Sequence, residues 1–104
     1  MKLALVTLAG AALLAAGAAQ AQSAEDLLKK HACTACHAND KKLVGPAYKD
    51  VANKYRSDAK AAAMLADKVK KGGVGAWGQV PMPPNANVPD ADIKTMVTYV
   101  LGLK

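Results

Sequence analysis

Five consecutive residues, Cys33-Thr34-Ala35-Cys36-His37, constrain this chain more than any other stretch. They form C-x-x-C-H, the pattern by which two cysteine sulfurs attach to a c-type haem. The short spacer keeps both sulfurs within about one helical turn, so they can span one edge of a flat macrocycle as thioethers to its vinyl groups. His37 follows directly, which places its imidazole as the proximal iron ligand on the face fixed by the tether. A chain read this way must also supply a second axial ligand, an apolar sleeve and an edge where electrons leave.

The same residue types serve other chemistries. A structural zinc site wants four protein ligands, and His31, Cys33, Cys36 and His37 are crowded too closely to support a tetrahedral one. A thioredoxin-like C-x-x-C follows a strand in a βαβ pattern, and no strand-like alternation precedes Cys33. A disulfide between the two cysteines leaves His37 unexplained. Haem attachment uses all three residues.

The start of the chain reads as targeting rather than fold. Met1-Lys2 is positive, Leu3 to Ala19 is an uncharged Ala/Leu-rich run, and Ala19-Gln20-Ala21 is a small-x-small cleavage site. Residues 1–21 are expected to be a secretory signal peptide, leaving 22–104 as one domain. The alternative is an uncleaved membrane anchor, but the run is near the lower length for a spanning helix. The remaining chain has no Phe, one Trp and three Tyr. So small a domain is marginal alone, and a buried, tethered haem would supply the missing apolar bulk. The net charge of +6 falls by one with the loss of Lys2. A basic face of this kind either steers the protein to an acidic partner or only keeps it in solution. Nucleic-acid binding does not fit an exported chain lacking an aromatic and basic array.

The pattern predicts an all-α fold of four to five short helices. Ser23 caps a first helix from Ala24, whose stripe of Leu27, Leu28, Ala32 and Cys36 delivers the cysteines. His31 is expected to face solvent rather than ligate. A second helix starts at Gly45-Pro46, with Pro at the first helical position, and runs to about Tyr55. Ser57-Asp58 opens a third, which carries Met64, Leu65, Lys68 and Val69 and stops at Gly72-Gly73. The stretch from Gly72 to Val88 is so rich in Gly and Pro that it reads as a loop without regular elements. Because it holds Trp77 and Met82, it is expected to fold over something apolar. Asp90 caps a last helix to about Leu103, with Ile93, Met96, Val97, Val100 and Leu101 as its core stripe.

That loop contains the candidate second ligand. Met64 and Met96 sit at helical core spacing, where Met is packing. Met82 lies between Pro81 and Pro83-Pro84, which stiffen the backbone and let it present a thioether at small entropic cost. His37 and Met82 together would raise the reduction potential relative to two nitrogen ligands. Met82 as a plain packing residue under the loop is the other possibility.

Taken together, the C-T-A-C-H motif, Val44-Gly45-Pro46-Ala47-Tyr48-Lys49-Asp50-Val51, Trp77-Gly78 and Val80-Pro81-Met82-Pro83-Pro84-Asn85 resemble the small bacterial class I cytochromes c of the c-551/c-552 type. The resemblance covers essentially all of Gln22 to Lys104 and implies a cytochrome c domain wrapped around one covalent haem c. It also implies roles for single residues. The Pro46 carbonyl would accept from the His37 ring, Asn85 would contact the Met82 sulfur, and Trp77 would donate to a haem propionate. Tyr55 would lie beside the haem. Lys68 stands where many relatives have an Arg near the propionates, and an ammonium is a point charge rather than a fork.

The function expected is that of a periplasmic, monomeric electron carrier, not an enzyme, since both axial positions are filled. Its partners would be redox proteins. The resemblance implies a donor such as a cytochrome bc1 complex, and an acceptor such as a terminal oxidase, a nitrite reductase or a cytochrome c peroxidase. Lys29, Lys30, Lys41, Lys42 and Lys49 are the basic candidates for guiding encounter. No stable membrane insertion is expected after signal cleavage.

Overall fold

Ser23 caps helix α1 (Ala24–Lys30): its hydroxyl oxygen accepts from the Asp26 backbone N–H at 3.1 Å. Glu25 and Asp26 in the first turn and Lys29 and Lys30 in the last suit the helix dipole. The computed structural model describes residues 22–104, so the expected signal peptide lies outside the described residues. Helix α1 does not carry the cysteines, contrary to the expected stripe. His31 caps it, and Ala32 turns the chain with a left-handed φ of 59°. A left-handed residue cannot continue a right-handed helix. Cys33–Ala35 therefore forms a separate 3-10 turn, closed by the Cys36 N–H on the Cys33 carbonyl.

Helix α2 (Tyr48–Tyr55) begins later than the Gly45-Pro46 start expected from proline chemistry. Ala47 is still extended, with ψ 142°, and the Pro46 carbonyl is engaged by His37. Helix α3 (Ala61–Lys71) is preceded by a turn in which the Asp58 carboxylate accepts from the Lys60 N–H. That side chain holds the backbone in a local turn before any helix forms. Helix α4 (Asp90–Leu101) is capped by Pro89, which puts Asp90 inside the first turn rather than at the cap.

Helix α4 is the hub, and α1, α2 and α3 all pack against it. Its stripe of Ile93, Met96, Val97 and Val100 is buried with Leu27, Leu28, Tyr48, Val51 and Val88. Each such aliphatic side chain contributes about 1.5–3 kcal/mol by leaving water. Met96 is core as expected, whereas Met64 is 40% exposed. The apolar side of α3 is only partly buried, and much of it faces a cavity rather than the core.

The Gly/Pro-rich stretch is not a featureless loop. Strands β1 (Gly73–Gly75) and β2 (Gly78–Met82) form an antiparallel hairpin, with Gly73 opposite Met82 and Gly75 opposite Gly78. Gly75 and Gly78 have φ of 108° and 111°, where a side chain would be strained. The glycines that look like breakers are what allow this hairpin, and an irregularity in the register between Gly73 and Gly75 accommodates it. The described residues thus hold four α-helices, one 3-10 turn and one small sheet.

His31 also departs from expectation. Its side chain is only 14% exposed and its Nε2 lies 3.0 Å from Asp92 Oδ2. It ties the end of α1 to the first turn of α4 instead of facing solvent.

Candidate functional site

The site begins at the 3-10 turn, which brings Cys33 and Cys36 to one rim of a cavity of about 380 Å³. That is within the roughly 300–1,000 Å³ typical of ligand clefts. All nine residues singled out from the sequence border it: Cys33, Cys36, His37, Pro46, Tyr55, Lys68, Trp77, Met82 and Asn85. Leu28, Val51, Leu65 and Val69 add apolar lining from α1, α2 and α3.

His37 is held from two sides. Its Nδ1 donates to the Pro46 carbonyl at 2.8 Å, which leaves Nε2 with the lone pair a metal needs. Its ring stacks on Tyr48, with centroids 5.1 Å apart and planes 21° apart. Gly45 is close enough that a Cβ there would stand 2.4 Å from His37 Cε1. Only glycine leaves room for the ring in this position.

Met82 ends β2 half-buried, with its backbone paired to Gly73. Asn85 lies three residues on, but its side-chain amide donates to the carbonyls of Val69 at 3.1 Å and Pro83 at 3.3 Å, where the Met82 sulfur was expected. Trp77 sits at the hairpin tip, 40% exposed. Its ring meets Tyr55 edge-on at 6.5 Å, and Lys54 Nζ lies 4.7 Å from its centroid. Lys68 reaches the hairpin base near Gly73. Of the basic candidates, Lys49 is paired with Asp40 at 2.6 Å, whereas Lys29, Lys30, Lys41 and Lys42 are exposed.

Burial pushes the Cys33 thiol up, with a smaller contribution from Cys36. Burial likewise raises the Tyr48 phenol far above its ordinary value. The Tyr48 hydroxyl is buried with no hydrogen-bond partner among the described residues. Both groups therefore stay neutral at neutral pH.

The residues fit a covalently held haem. Both cysteines are unbridged, the imidazole is in the ligating tautomer, and Gly45 makes the cradle that seats it. Sequence reasoning missed Gly45, Gly72 and the stacking role of Tyr48. Gly45 and Tyr48 stand within the quoted V-G-P-A-Y stretch, yet nothing in the local pattern says which ring they touch.

A helical shell around a cavity that offers two thiols and a ligating imidazole defines a covalent-haem electron carrier. The cytochrome c family profile matches residues 14–104. The chain is 64% identical over 77 residues to cytochrome c-551 of Allochromatium vinosum, covering 74% of this chain and 82% of the relative. It is 54% identical over 98 residues to cytochrome c-552 of Nitrosomonas europaea, covering 94% and 93%. The crystal structure of wild-type Nitrosomonas europaea cytochrome c552 superposes with a TM-score of 0.74 at 54% identity, covering 77% of this chain and 99% of that one. The chain belongs to the cytochrome c family. Its cofactor is one covalent haem c, and it is a small electron carrier rather than an enzyme.

Proposed function

We propose that this chain is a soluble periplasmic carrier that moves single electrons between redox proteins through a haem iron held by His37 and Met82. One observation carries the reading: Cys33, Cys36, His37 and Met82 all border one cavity, with the His37 tautomer set by Pro46. The bound haem supplies a one-electron Fe(III)/Fe(II) couple.

Cys33 and Cys36 would hold the macrocycle by thioethers. Pro46 keeps His37 oriented and raises the basicity of Nε2. Met82 offers a thioether from a proline-stiffened segment, so little needs to move on oxidation or reduction. Asn85 fixes that segment through the Val69 and Pro83 carbonyls. Tyr55 would pack beside the haem, and Trp77 and Lys68 would be the polar groups for its acidic side arms. The apolar lining excludes water and favours the less charged oxidation state. Lys29, Lys30, Lys41 and Lys42 supply a basic surface that speeds encounter with an acidic partner. Binding of that kind is weak and short-lived, as a carrier requires. The signal-like start supports export, and no helix among the described residues is long and apolar enough to cross a membrane.

The test is an absorption spectrum of the exported protein, oxidised and reduced, with the same spectra and a redox titration for Met82→Ala. The expected result is a c-type haemochrome in both proteins. The weak red band of sulfur-ligated ferric haem should appear in the parent alone, and the variant should have a sharply lower reduction potential. An unchanged potential in Met82→Ala would refute the ligand assignment. Absence of retained haem would refute the whole reading.

A further inference from the structure

The last turn of α3 grips the segment that follows Met82 at three places. Gly72 abuts its start: a Cβ there would meet the Met82 carbonyl oxygen at 2.5 Å and Pro84 N at 2.8 Å. In the middle, the Asn85 backbone N–H reaches the carbonyls of Val69 at 3.1 Å and Lys70 at 3.2 Å. At the end, Lys70 Nζ donates to the Val88 carbonyl at 2.7 Å and pairs with Asp90 Oδ1 at 2.9 Å.

The third grip depends on one side chain. The Asp90 carboxylate is 90% exposed, so its pairing is screened by solvent and contributes little. The Val88 carbonyl belongs to a buried residue, so its bond to the ammonium is the stronger contact. Between Asn85 and Val88 the chain is closed by the Val88 N–H on the Asn85 carbonyl at 3.1 Å. Between Met82 and Asn85 stand Pro83 and Pro84, whose fixed φ leaves little slack. Loosening the Val88 end loads the Asn85 anchor, and any movement of Asn85 is passed through the two prolines to Met82.

We propose that Lys70 is a positioning residue for the Met82 thioether, acting through the Val88 carbonyl and the Asn85–Val88 turn. The proposal rests on the reading of Met82 as the iron ligand. Lys70 does not border the cavity, and its side-chain partners are Val88 and Asp90. It governs how often Met82 leaves the sixth position, and hence how readily an outside ligand takes its place.

The test uses the ferric holoprotein with imidazole as the outside ligand. Lys70→Met keeps the length of the stem and removes the donor. Imidazole should bind roughly tenfold more tightly to it, because apparent affinity scales with the fraction of molecules whose sixth position is open. The red band should fade at a lower temperature than in the parent, while the haem stays attached. Lys70→Arg, which keeps a charged donor, should restore parental imidazole affinity. Tyr99→Phe is the control for simple loss of stability, since it removes the Tyr99–Glu25 hydrogen bond between α4 and α1, and should leave imidazole affinity unchanged. If Lys70→Met does not accumulate as holoprotein, Lys70→Leu, which also lacks a donor, takes its place with the same expectation. Parental affinity in Lys70→Met or its replacement, or an equal gain in Tyr99→Phe, would overturn the proposal. A parent without the red band would instead overturn the Met82 assignment, and this proposal with it.

Discussion

Gly45 lies against the ring of His37, at a distance that admits no side chain: a Cβ would stand 2.4 Å from Cε1 and 2.9 Å from Nδ1. The His37 imidazole is therefore located by three neighbours, the Gly45 backbone, the Pro46 carbonyl at 2.8 Å and the Tyr48 ring. Gly45→Ala should push the ring away and strain its bond to Pro46. We expect lower yields of holoprotein and a loss of about 1–3 kcal/mol, the usual cost of forced overpacking. Guanidinium unfolding followed at the haem band measures it; parental stability would show that the ring has room to move.

Gly72 is a second glycine that a side chain cannot replace. Its φ is 73°, and its Cβ would collide with the Met82–Pro84 backbone. Gly72→Ala should cost about 1–3 kcal/mol for the backbone alone, since φ 73° with ψ −171° is a glycine-only conformation. The displaced Met82 should also weaken the red band of the ferric protein. Spectra at rising temperature, compared with the parent, check both effects.

Tyr48 carries a buried hydroxyl without a partner among the described residues. An unpaired buried polar group contributes nothing and costs its desolvation, so Tyr48→Phe should be neutral or stabilising at pH 7. Burial raises the folded-state phenol above its ordinary value of 10.0. A group protonated in the folded chain but ionised in the unfolded one makes stability fall as pH rises. That loss should set in above about pH 10 in the parent, where the unfolded phenol ionises. It should be smaller in Tyr48→Phe. Denaturant midpoints from pH 7 to pH 11 give the two slopes, and identical slopes would contradict this account.

Cys36→Ala should leave the haem held through a single thioether. The core is small and the cavity of about 380 Å³ reaches into it, so the tethered haem counts heavily in stability. Less folded holoprotein should accumulate, and acid–acetone should extract more haem from it. Normal stability in a haem-free preparation would contradict the view that the cofactor completes the core.

Much of this molecule was legible in the linear chain because the information is local. The C-x-x-C-H spacing defines its own chemistry within five residues, Met82 stands out among its prolines, and the α4 stripe repeats with the helical period. The resemblance carried over residues such as Pro46, Trp77 and Lys68, and all of them border the cavity. What stayed hidden depends on segments that meet only after folding. His31 and Asp92 are 61 positions apart, and neither pattern announces the other. The glycines of the hairpin read as breakers because composition does not say that positive φ is wanted at Gly75 and Gly78. Helix α1 stops before the cysteines because Ala32 takes a left-handed conformation for which its residue type gives no warning. The Asn85 amide turned to the end of α3, where unpaired helix carbonyls needed donors. Sequence by itself determined the cofactor chemistry and the helical frame, since both follow from spacing along one chain. Only tertiary structure decided which glycine seats the imidazole and which helix turn steadies the methionine, since those depend on close approach between residues that spacing does not relate.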